Sequence, residues 1–87
     1  MLFKVVSIYD RAAGVYGRPG FVPSAGVAVR DFTDEVNRAA DDNQLYKHPD
    51  DFDLYSLGGF DDNAADFLPL LELLVRGKDV VKSSSSN

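Results

Sequence analysis

Residues Leu2 to Asp10, Leu-Phe-Lys-Val-Val-Ser-Ile-Tyr-Asp, put apolar side chains on both faces of an extended chain. Successive strand residues point to opposite faces, so Phe3, Val5 and Tyr9 share one and Leu2, Val6 and Ile8 the other. A strand loaded on both sides suits the centre of a sheet better than its edge. The segment is rich in β-branched and aromatic residues and holds no glycine or proline. It predicts a sheet built around residues 2–10, for which the rest of the chain must supply partners.

Those partners can be read off in order. Asp10-Arg11-Ala12-Ala13-Gly14 reads as a turn, and Val15-Tyr16 followed by Phe21-Val22 reads as an irregular, bulged or edge strand returning antiparallel. The Pro19-Gly20 pair leaves open a full turn instead. Ser24 is a good N-cap, and Ala25, Ala28, Val29, Phe32, Val36 and Ala39 or Ala40 form one helical stripe that ends at Asp41-Asp42-Asn43. Phe32 is the expected anchor, with a loss of about 3–5 kcal/mol on truncation to alanine if it is fully buried. Arg30–Asp34 and Asp34–Arg38 are expected as ion pairs along the outer face.

After a connector through His48-Pro49, Phe52 to Phe60 reads as a strand, with Phe52 and Leu54 on one face and Tyr55 and Leu57 on the other. Asp61-Asp62-Asn63 makes a hairpin turn. Phe67-Leu68 opens a short fourth strand that Pro69 curtails, and Leu70 to Val75 is expected as an irregular arm or one helical turn. Val80-Val81 is placed against the body. The expected fold is α+β: a small antiparallel sheet of three to four strands with one amphipathic helix on one face, in the order β-β-α-β-β.

The chain has 87 residues and no cysteine, so no disulfide or thiolate metal site can staple it and the apolar core must suffice. One domain is expected over residues 1–82, with a disordered serine-rich tail over residues 83–87. No apolar run reaches the ~18 residues of a membrane span. The opening Met1-Leu2-Phe3-Lys4 lacks the basic region of a signal peptide. An intracellular protein with no membrane partner is expected.

Catalysis finds little support. His48 is the lone histidine and precedes a proline in an aspartate-dense connector, without the partner groups that base catalysis needs. The clusters Asp50, Asp51, Asp53 and Asp61, Asp62, Asp66 lack the spacing of a calcium loop and read as turn formers and caps. A metal-dependent nuclease built on them is the weakest of the readings. The glycines at 14, 17 and 20 form no phosphate-binding loop. No cofactor and no metal is expected.

The positive signal is two aromatic–basic runs: Arg11, Tyr16 and Arg18, then Tyr46 and Lys47. Single-stranded nucleic acid is held by aromatic stacking plus cations that track the backbone. If the two segments meet, these five residues form a candidate nucleic-acid-binding platform. The net charge of −5 works against broad phosphate affinity and confines any such contact to a local surface.

The run Tyr46-Lys-His-Pro-Asp-Asp-Phe-Asp-Leu-Tyr-Ser-Leu-Gly-Gly-Phe-Asp-Asp62 resembles the pattern K-H-P-x-D-F-x-L-x-x-L-G-x-F-D-D of the small non-structural protein of gokushoviruses, Microviridae with single-stranded DNA genomes. Val6-Ser-Ile-Tyr-Asp10, Phe21-Val-Pro-Ser24 and Ala28-Val-Arg-Asp-Phe-Thr-Asp34 extend the likeness over residues 2 to 80. The sequence departs from the pattern at Ala64-Ala65 and in the leucine-rich stretch through Val75, where a charged hairpin strand is commoner.

The resemblance implies a non-enzymatic phage protein of the host bacterial cytoplasm, absent from the capsid. Its expected role lies in single-stranded DNA replication or the switch to packaging, through contact with single-stranded DNA or with viral or host replication proteins. It implies no established active site. The alternative is a protein–protein adaptor that never touches DNA. A homodimer stays open, because a short sheet with free edges can pair.

Overall fold

The structure is a computed structural model and describes residues 1–82. The expected serine-rich tail lies outside the described residues. Five antiparallel strands form one sheet, with one main helix on one face. Strand β1 is Leu2–Asp10, β2 is Val15–Tyr16, β3 is Gly20–Val22, β4 is Phe52–Asp61 and β5 is Asp66–Arg76. Helix α1 spans Ala25–Val36 and the one-turn α2 spans Gln44–Lys47. β1 is central, as its two apolar faces require: β2 and β3 pair along one side of it and β4 along the other, with β5 outermost.

The returning segment is thus two short strands, with Gly17 N–H donating to the Ile8 carbonyl between them. Pro19-Gly20 does not turn the chain away, since Gly20 pairs with Val6 and Phe21 with Val5. Ser24 caps α1 as expected, its Oγ accepting from Val27 N–H. Ala28, Phe32 and Val36 are the buried residues of the helix and pack with Val6 and Leu54. Ile8, Phe52, Leu74, Val75 and Val80 close around them, so of the pair placed against the body Val80 packs there, whereas Val81 is exposed.

Three expectations need correction. The helix stops at Val36, short of Ala39 and Ala40. Two asparagine amides take its terminal carbonyls: Asn37 Nδ2 donates to Thr33 O at 2.7 Å and to Val80 O at 2.9 Å, and Asn43 Nδ2 donates to Glu35 O and Arg38 O, both at 2.8 Å. Asn43 also caps α2, its Oδ1 accepting from Leu45 N–H at 3.1 Å and Tyr46 N–H at 3.4 Å. One buried amide therefore joins the end of one helix to the start of the next.

On the outer face of the helix, Arg38 pairs with Glu35 through two bonds of 2.9 and 2.7 Å instead of with Asp34, and Arg30–Asp34 is not an ion pair among the described residues. The short i,i+3 reach allows both guanidinium contacts at once. These bonds to Arg38 hold the Glu35 carboxyl below its ordinary value.

The largest correction concerns the C-terminal segment. β5 runs through Pro69 for eleven residues as a continuous edge strand, neither a short strand nor a helical turn. Proline is compatible with an edge strand, where its missing N–H can face away from the ladder. The β4–β5 register shifts at Leu54/Tyr55 and at Ser56/Gly58. Gly58 lies at φ +126, and a Cβ there would meet the backbone of Leu68 and sit 2.8 Å from Leu70 N. Only glycine lets the two strands approach so closely at this bulge.

Candidate functional site

The helix covers one face of the sheet and leaves the other bare. Register fixes what that bare face carries, because cross-strand partners project to the same side. One row runs Tyr16, Tyr9, Asp53, Arg76 across β2, β1, β4 and β5, and the next runs Ser7, Tyr55, Leu73. The three tyrosines close into one cluster. Ring centroids lie 4.6 Å apart for Tyr9–Tyr16, 5.5 Å for Tyr16–Tyr55 and 6.0 Å for Tyr9–Tyr55, the last two edge-on. Such tilted and edge-on contacts suit the ring quadrupoles. Tyr16 remains 42% exposed. Partial desolvation, then the neighbouring Tyr55 and Tyr9, raise its phenol above the ordinary value.

Charge is placed at the end of this row. Asp53 is almost wholly buried and accepts from Arg76 Nη1 through Oδ2 at 3.1 Å, with Arg11 Nε 3.9 Å from the same oxygen. Its Oδ1 has no hydrogen-bond partner. Arg11 is held a second time by the 49–51 turn: its N–H donates to Asp51 O at 2.7 Å and its Nη1 to Asp50 O at 3.3 Å. Two partly exposed guanidiniums flank one buried carboxylate at this end of the face, and Asp50, Asp51 and Lys78 stand beside Arg11.

Toward the β4–β5 hairpin the face turns apolar. Phe60 and Phe67 lie 4.7 Å apart, and Phe21 reaches both at 5.5 and 6.3 Å. Val5, the cross-strand partner of Phe21, is buried.

The five residues expected to form one platform are divided by the structure. Tyr16 belongs to the tyrosine cluster and Arg11 stands at its charged end. Arg18 lies on the other side of the sheet, lining a crevice of about 230 Å³ with Asp31 and Phe32 of α1. Tyr46 and Lys47 sit on α2, where Lys47 Nζ donates to Asp41 O at 3.0 Å and Tyr46 makes no aromatic pair among the described residues. Among the described residues no aromatic pair, hydrogen bond or ion pair links Tyr46 or Lys47 to Arg11, Tyr16 or Arg18.

Sequence reasoning missed Tyr9, Tyr55 and Arg76. The alternation of β1 and β4 had put Tyr9 and Tyr55 on identifiable faces, but it takes the pairing of β1 with β4 to show that these are the same face. His48 is exposed and precedes the turn Pro49–Asp51, its carbonyl accepting from Asp51 N–H at 3.0 Å and its side chain making no cap bond. Two aspartates act as turn formers, Asp10 Oδ1 accepting from Ala12 and Ala13 N–H and Asp61 Oδ1 from Asn63 N–H, and Asp62 pairs with the terminal ammonium of Met1. No group of three or more His, Asp or Glu is placed to hold a metal among the described residues. No helix among them is long and apolar enough to cross a membrane.

Fold and face together define a small α+β domain with one helix-covered sheet face and one open, aromatic-lined face. The chain belongs to the Phage ORF5 protein family, whose model matches residues 3–80. It is 39% identical over 66 residues to Protein ORF5 of Chlamydia phage 1, a match covering 74% of this chain and 69% of that protein. That phage is a gokushovirus of the Microviridae, so the resemblance read from Tyr46 to Asp62 holds. No solved structure matches the chain.

Proposed function

We propose that this phage protein is a non-enzymatic binding module that contacts single-stranded DNA through the tyrosine end of its open sheet face during viral genome synthesis or its switch to packaging. The observation that carries this reading is the row Tyr16–Tyr9–Asp53–Arg76, with Tyr55 against both tyrosines and Arg11 beside Asp53. An antiparallel sheet that offers aromatic rings on its uncovered face is a known way to stack unpaired bases. Stacking tolerates any sequence and contributes roughly 1–3 kcal/mol per base. Arg11 and Arg76 supply the phosphate contacts within an otherwise acidic chain.

A salt titration of binding to a short single-stranded oligonucleotide tests the reading. Two phosphate contacts predict a log–log slope of about −1.4, since each contributes roughly −0.7 on single strands. Arg11→Gln should halve the slope, and Tyr16→Ala should weaken binding about 5- to 150-fold, the equivalent of one lost stack. Absence of binding at low salt would reject DNA contact and favour the adaptor. That second reading has its own support in the phenylalanine end, where Phe21 and Phe67 are more than half exposed with no cation in the cluster.

A further inference from the structure

Helix α1 covers its face of the sheet only in part. Between the start of the helix and the β4–β5 hairpin lies an open groove of about 640 Å³. That volume falls within the roughly 300–1,000 Å³ of small-molecule sites. One cross-strand row opens it: Lys4, Gly59 and Leu68 are partners across β1, β4 and β5, and the middle position has no side chain. Leu2 and Leu70 wall the gap and are 58% and 62% exposed. Among the described residues Lys4 is the one charged group that lines the groove, and it makes no ion pair.

We propose that this groove binds a linear aliphatic carboxylate of the fatty-acid class, its head group on Lys4 and its chain over Gly59 toward Leu68 and Leu70. Two features choose this occupant. A lone cation in a lining otherwise without charge is complemented by a single negative charge. The rest of the lining is apolar and suits a body without polar groups. Pro23 and Pro69 lack N–H donors, and an extended peptide would bring one N–H and one C=O per residue with few partners to meet them. A hydrocarbon chain brings none.

The neighbouring charges set the direction of the ligand. Asp61 and Asp66 are the cross-strand partners in the Leu2 row and project to the same side, nearer the hairpin tip. They repel a carboxylate from the tip and leave Lys4 as its place. Lys4 and Tyr9 alternate along β1 and so stand on opposite faces of the sheet. The site is therefore independent of any DNA contact.

Titration of isotope-labelled protein with monomeric decanoate, followed by amide chemical shifts, tests the assignment. A saturable response centred on Lys4, Gly59, Leu68 and Leu70 is expected, with decanol bound more weakly. Lys4→Gln should weaken decanoate about 2- to 5-fold, as for one half-exposed ion pair, and leave decanol unchanged. Gly59→Leu should abolish both by filling the gap; its Cβ would lie 3.3 Å from the tip of Leu2, an exposed side chain that can move aside. Leu70→Asp, at an exposed position that folding tolerates, should weaken both as well. The absence of a saturable response in the groove overturns the proposal. So does decyltrimethylammonium bound as tightly as decanoate, or an apolar pentapeptide with a free carboxylate bound more tightly.

Discussion

Replacing Asn43 by alanine should be among the most damaging single changes available outside the hydrophobic core. The side chain is 4% exposed and uses its whole amide. Nδ2 donates to Glu35 O and Arg38 O, and Oδ1 accepts from Leu45 and Tyr46 N–H. Three of these bonds are 2.8–3.1 Å long; the fourth, at 3.4 Å, is weak. At about 0.5–1.5 kcal/mol net per bond, three good bonds contribute about 1.5–4.5 kcal/mol. The alanine variant also loses the N-cap of α2, which overlaps with the same bonds and is not added again.

For a chain of this size the total stability is roughly 4–13 kcal/mol, so a loss of about 3 kcal/mol should lower the melting temperature by on the order of 10–25 °C. Urea unfolding followed by circular dichroism measures it. Asn43→Asp separates the two halves of the role. It keeps the acceptor for the α2 cap but sets a carboxylate against the carbonyls of Glu35 and Arg38, and should be no more stable than the alanine variant. If Asn43→Ala unfolds within about 0.5 kcal/mol of the parent, as ordinary surface changes do, the joint between the helices is not what ends α1 at Val36.

Two further perturbations address the sheet and its cover. Phe32→Ala should cost about 3–5 kcal/mol in the same urea assay, because the ring is 3% exposed and packs with Val6, Val36 and Leu54; a loss under 1 kcal/mol would refute its place as anchor. Gly58→Ala should lose on the order of 3 kcal/mol, combining the strain of a positive φ with a Cβ pressed on the Leu68 and Leu70 backbone. Hydrogen exchange should show the loosening concentrated in β4–β5, and uniform loosening of all strands would argue against the bulge as its origin.

What the sequence disclosed depended on how local the deciding interaction is. The central place of β1 followed from its own residues, and the start of α1 from Ser24 three residues before the N–H it binds. The end of α1 did not follow, because Asn37 is fixed by Val80 and Lys82, more than forty positions away. Pro69 reads locally as a stop because local rules cannot tell an edge from an interior strand; only the pairing of β4 on one side shows that β5 is outermost. The candidate site divided in the same way. Tyr16 and Arg11 were visible as an aromatic and a cation close in sequence, whereas Tyr55 and Arg76 reach the same face only through the register of β1 with β4 and of β4 with β5.

The run that carries the family resemblance, Tyr46 to Asp62, is spent mostly on holding the chain together. Pro49 and Phe52 offer carbonyls so close to Gly77 that a Cβ there would lie 2.7 Å from Phe52 O, so a side chain at 77 would push the end of β5 away from the 49–51 turn. The same turn takes two hydrogen bonds from Arg11 at the end of β1. Asp53, buried within the run, binds Arg76 at the end of β5. The ends of two strands, β1 and β5, are thereby tied to one short segment, and the two cations of the open face are oriented by it. Burying a carboxylate is costly unless it is paired, so Asp53 fixes where Arg11 and Arg76 must stand before any ligand arrives. The family run is therefore the support of the candidate interface. With the exception of Tyr55, the rings of its tyrosine cluster come from β1 and β2, outside that run.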